Sequence, residues 1–164
     1  MHCTHLGSGK VKVTSFHLEN TDGKLIPYAV SGSPVVFVIG FETNGEKCNN
    51  ISVGFSVKEK NERNLFQYYS HLSDTQFSDL PLHGEFRCLI SDCLLAPGDF
   101  LVGFMILSNG VYVDWPKVSI PITVHIGDFY KTGFIDGPIM SWGPILVRGS
   151  WSVRSQFSID GNSY

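Results

Sequence analysis

Apolar and polar residues alternate with a period of two through most of the chain. In Ile51–Lys58, Ile51, Val53, Phe55 and Val57 fall on one side and Ser52, Gly54, Ser56 and Lys58 on the other, which predicts a strand with one buried face. Phe100, Val102, Phe104 and Ile106 repeat the pattern. A Pro97-Gly98 turn precedes that strand, and Ser108-Asn109-Gly110 follows it, where Asn-Gly holds positive φ at low cost. The chain then returns through Val111–Trp115, breaks at Pro116 and leaves as Ser119–Ile126, so residues 94–124 read as a β-meander. Upstream, Lys10–Leu18, Leu25–Val30, Val35–Thr43, Asn64–Ser70 and Glu85–Ile90 read as further strands. Glu19–Gly23, Asn44–Lys47 and the charged tip Lys58–Arg63 turn the chain between some of them. About eight short strands and no 3.6-residue periodicity predict an all-β antiparallel sandwich or jelly roll.

Two segments break the simple in–out rule. On residues 101–107 the face opposite the core positions is Leu101, Gly103, Met105 and Leu107. A strand apolar on both sides is covered on both sides, by another segment, another subunit or a ligand. Beyond Gly127 a glycine-rich connection leads to Ile145–Val153, which reads as an isolated strand with no local partner. Such a strand suits pairing with an edge in its own subunit or a neighbour's. Leu101, Met105, Trp142, Ile145, Val147 and Trp151 are accordingly assigned to a subunit contact, where large rings dominate the energetics. The expected organisation is a flexible arm (1–9), a β-sandwich (10–126), and a connection with a C-terminal, exchangeable strand and tail (127–164).

Composition narrows the function classes. The chain is 43% hydrophobic with a net charge of −3 and no block of either sign. That fits a globular domain and argues against nucleic acid as a partner. No apolar run approaches the roughly 18 residues of a membrane span, and the start lacks the pattern of a secretory signal. Cys3, Cys48, Cys88 and Cys93 form no C-x-x-C pair, so free cytosolic thiols are expected. Gly7-Ser8-Gly9-Lys10 fails as a phosphate loop, because Thr4 stands where the first glycine is needed and Val11 where Ser or Thr is needed. His2, Cys3 and His5 make a poor metal set on a loose terminus, and His17, His83 and His125 are scattered. No metal or cofactor is expected. No catalytic constellation can be argued, although Asp74, Asp79, Glu85 and Asp92 flank turns and could in principle supply a glycosidase pair.

The remaining candidate chemistry is that of sugar binding, which needs aromatic faces beside amides, carboxylates or Arg at a wet surface. Gln67, Tyr69 and His71 form one candidate set, and Tyr112, Asp114 and Trp115 a second. Regular alternation puts Tyr68 and Tyr69 on opposite faces, so only one meets a ligand; the alternative for each is a half-buried core ring. Trp115 is either a core or interface plug or a stacking platform. Arg87 points away from Phe86 and Cys88, where it is either solvated or reaches an acidic or phosphate cap.

With these residues laid out, the chain resembles the C-terminal carbohydrate-binding domain of Wzt, the ATP-binding subunit of O-antigen polysaccharide ABC transporters. The matching features occur in order: Lys10–Ser15 with Asp22-Gly23, Leu95–Phe100, Tyr112–Trp115, and Ile122-Thr123-Val124 followed by Gly127–Gly133. They span about residues 10–153. The resemblance implies an immunoglobulin-like or jelly-roll sandwich that dimerises by exchanging its last strand. It also implies non-catalytic recognition of a finished polysaccharide terminus, coupling that chain to export. The partners would be the transporter's nucleotide-binding and membrane subunits, at the cytoplasmic side of the inner membrane. The family's nucleotide-binding domain would precede this segment and is not in it. The rival readings are an immunoglobulin-like protein-interaction domain and a sugar-modifying enzyme.

Overall fold

The structure is a computed structural model in which residues 4–133, 135 and 143–154 are described. Two sheets face each other. The four-stranded sheet has the order β3 (Leu25–Ile26), β2 (Val11–Glu19), β5 (Val35–Thr43), β8 (His83–Ile90). The seven-stranded sheet is built on β9 (Gly98–Ser108), which pairs along one edge with β6 (Ile51–Lys58), and β6 with β7 (Asn64–Tyr69). Its other edge is shared end to end by β10 (Val111–Pro116) and β11 (Ile120–His125). Two short strands complete the sheet: β1 (His5–Leu6) on β10, and β4 (Ala29–Val30) parallel to β11. This is the all-β sandwich that the alternation predicts, and no α-helix occurs among the described residues.

The core lies where the alternating faces meet. Phe16 packs on Phe37 and Phe104, and Phe37 on Phe55, with ring centroids 4.9–5.4 Å apart. The outward residues of β5, Val36 and Val38, are buried as well. Their register neighbours His17, Glu19 and Arg87 explain this. His17 and Arg87 bond the Glu19 carboxylate at 2.9 and 2.5 Å, so this polar cluster stands beside the two valines on the outer face. The Asn109-Gly110 hairpin forms with φ of 48° and 79°, the left-handed pair a two-residue loop needs.

Three expectations are corrected. Residues 94–124 are not a simple meander, because β10 and β11 do not pair with each other; both lie on β9. Ile145–Val153 is not a strand: among the described residues only Ile145 bridges, to Leu95. Around that bridge the Ala96 amide donates to the Pro144 carbonyl at 2.9 Å and the Leu146 amide to the Leu94 carbonyl at 2.7 Å. Beyond it Leu146 is buried against Ala96 and Phe129, and Arg148 bonds Asp92 and the Phe129 carbonyl, so side-chain anchors take over where the backbone pairing ends. Lastly, the arm is tied down from Thr4 onward, because β1 pairs with β10.

Candidate functional site

The outer face of the seven-stranded sheet is floored by small residues. Ser56 of β6 stands opposite Gly103 of β9, and Gly54 opposite Met105. The amphipathic alternation that sends Phe55 and Val57 inward leaves Ser52, Gly54 and Ser56 on this side. The result is a depression rather than a flat sheet. Tyr69 of β7 stands opposite Gly54, and its ring lies so close that a Cβ at Gly54 would overlap it. The Tyr69 hydroxyl donates to Met105 Sδ at 3.0 Å. Burial pushes the Tyr69 phenol pKa up, and the adjacent Tyr112 phenol adds to the shift, so the hydroxyl stays a neutral donor at ordinary pH.

The opposite wall comes from β10. Tyr112 stacks on Trp115 with centroids 5.3 Å apart and planes at 24°, and the Lys117 ammonium sits 3.3 Å from the indole centroid. Together these walls enclose an open groove of about 520 Å³. Gln67, Tyr69, Tyr112 and Trp115 line it together with Asn64, Lys58, Glu62, Lys117 and Ser119. Glu62, the one lining carboxylate among the described residues, accepts from Lys58 Nζ at 2.7 Å.

Four of the seven candidate sugar-contact residues therefore meet in one place. His71 flanks them: its ring is 5.3 Å from that of Tyr69, and its Nδ1 hydrogen-bonds Ser52 Oγ at 2.7 Å. Two do not belong. Arg87 lies on the outer face of the other sheet, bound to Glu19. Asp114 is fully buried, accepting from the Val13 amide at 2.8 Å and from His5 Nδ1 at 2.7 Å.

Of the residues assigned to a subunit contact, Met105 is buried under Tyr69 and forms groove floor. Leu101 is half-buried beside Lys58 and Pro121. Ile145 bridges Leu95, whereas Val147 and Trp151 project into solvent, and Trp142 lies outside the described residues. Sequence reasoning missed Lys58, Glu62, Asn64, Lys117 and Ser119. The signal for Lys58 was present, since it shares the outward face of Ser52, Gly54 and Ser56.

Among the described residues no group of three or more His, Cys, Asp or Glu side chains is placed to hold a metal ion. Cys48, Cys88 and Cys93 are free thiols. No described helix is long and apolar enough to cross a membrane.

The model of the Wzt C-terminal domain family matches residues 2–136. Among solved structures, the crystal structure of the C-terminal domain of Wzt superposes with a TM-score of 0.72 at 17% identity, covering 93% of this chain and 89% of that one. A Niemann-Pick type C2 protein from Japanese carpenter ant has a TM-score of 0.50 at 8% identity, covering 76% of this chain and 99% of that one. At these identities both likenesses speak to the fold. No curated protein sequence matches the chain.

Proposed function

The chain belongs to the Wzt C-terminal domain family, and from that premise we propose that its outer groove binds the terminus of an O-antigen-type polysaccharide without transforming it. The observation that carries this reading is the convergence of Tyr69, Tyr112 and Trp115 with Gln67 and Asn64 around a Ser56–Gly103 floor. Rings supply faces for the apolar side of a sugar; amides and hydroxyls answer its hydroxyl rim. The floor's small side chains admit a ring-sized ligand. Among the described residues a single carboxylate lines the groove, already held by Lys58, which favours retention over hydrolysis, since most glycosidases need two. Recognition would couple the finished chain to export through the transporter's other subunits, on the cytoplasmic side.

The test is a titration of the protein with purified O-polysaccharide from the producing strain, followed by amide NMR. Shifts centred on β6, β7, β9 and β10 are expected, with titration midpoints moved to higher polysaccharide concentration in Tyr69→Ala and Trp115→Ala. Absence of shifts at saturation would favour the protein-interaction reading. Polysaccharide cleavage abolished by Glu62→Gln would favour the enzyme.

A homodimer follows as a second proposal, supported by the tail. Arg148 is anchored to Asp92 and Phe129, yet beyond it Trp151 and Val153 are wholly exposed. An indole in water beside an apolar valine is surface awaiting a partner, and the matching segment of a second copy supplies one by exchange.

A further inference from the structure

Tyr112 and Trp115 are three residues apart, and in a regular strand they would face opposite sides of the sheet. They stack because β10 carries a bulge: Tyr112 pairs with Leu107 and Asp114 with Ile106, leaving Val113 as the extra residue. Val113 and Asp114 both turn inward and are buried, and Trp115 returns to the groove side. A bulge leaves ladder groups unpaired and persists only where something else satisfies them.

Here the N-terminal arm does so. The Gly9 amide donates to the Val113 carbonyl at 2.9 Å. His5 reaches the Asp114 carboxylate, whose other oxygen takes the Val13 amide of β2. Leu6 pairs with Trp115 and His5 with Pro116, and the Lys117 amide donates to the Thr4 carbonyl at 2.8 Å. The arm thus backs the same Trp115–Lys117 stretch whose side chains line the groove. Gly7 permits the approach: its φ is +124°, and a Cβ there would overlap the Val113 carbonyl.

We propose that residues 5–9 are a positioning element for the groove. Through the buried Asp114 they fix the β10 bulge that brings Tyr112 and Trp115 onto one face, so that arm docking and glycan binding promote each other. This rests on the glycan reading of the groove. Coupling is reciprocal, so an occupied groove also holds the arm more tightly.

The experiment uses the full chain in a Trp142→Phe/Trp151→Phe background, which leaves Trp115 as the sole indole of three. His5→Ala and Gly7→Ala release the arm without touching a groove side chain. Both are expected to red-shift Trp115 emission and to weaken purified O-polysaccharide roughly five- to twentyfold. Saturating polysaccharide is expected to slow exchange of the Gly9 and Lys117 amides in the parent by the same factor. Asp114→Asn should act in the same direction, and the two arm variants decide the matter where it does not fold. Unchanged emission and affinity in both arm variants would overturn the proposal. A parent that binds no polysaccharide, with emission still shifting in His5→Ala, would remove the glycan reading and the coupling and leave the arm a structural brace.

Discussion

At the scale of single residues, the groove depends on what is missing from its floor. Gly54 has room for Tyr69 only because it lacks a Cβ, so Gly54→Ala should push the ring off the floor at a cost of about 1–3 kcal/mol. Urea denaturation measures the cost, and loss of glycan-induced shifts measures the displaced ring. Trp115→Ala removes one stacked face, worth roughly 0.5–1.5 kcal/mol, and should weaken polysaccharide by up to about tenfold. Unchanged affinity by calorimetry would rule the indole out of the site. Glu19 carries a pH signature. The Arg87 guanidinium first, and the His17 ring second, hold its carboxyl below the usual glutamate range. A lowered folded value means the unfolded chain takes up the proton first. The contribution is therefore full above an ordinary pKa of about 4.3 and is lost as pH falls through the lower folded value. Glu19→Gln should flatten the acid limb of urea midpoint against pH; parallel curves for the two proteins would refute it.

At the scale of elements, β9 is the organiser, with β6 along one edge and β10 and β11 sharing the other. Phe104, at its centre, is 1% exposed and packs on Phe16 with centroids 5.0 Å apart. Phe104→Ala should cost about 3–5 kcal/mol, read as a lowered urea midpoint with unchanged slope. The in–out pattern of Ile51–Lys58 and of Phe100–Ile106 was legible because each side chain's face follows from period two. Asp114 was grouped with Tyr112 and Trp115 as a surface set. Strict alternation sends it to the solvent side with Tyr112, but the bulge inserts Val113 and turns the carboxylate inward. Nothing local announces that bulge, since its support comes from Gly9, His5 and Val13, some hundred positions away in the chain.

At the scale of the molecule, the tail joins the sandwich at residues 144–148 and then leaves it. Leu146 closes a small cluster with Ala96 and Phe129, and Trp151 stands clear of the fold. Truncation before Gly143 should uncover that cluster and remove the exchangeable surface, giving a monomer or an aggregating species by analytical ultracentrifugation. An unchanged soluble dimer would refute the exchange.

The sequence by itself determined the class of fold, the inward faces of β5, β6 and β9, the Asn109-Gly110 hairpin and the aromatic character of Gln67–Tyr69 and Tyr112–Trp115. All of these are local consequences of side-chain period and turn chemistry. Tertiary structure alone decided that those two aromatic segments face one groove, that Arg87 belongs to the opposite sheet and that Asp114 is a buried hub. Which strands become neighbours, and where a bulge shifts their register, is set by long-range burial and hydrogen bonding, and a one-dimensional pattern does not encode it.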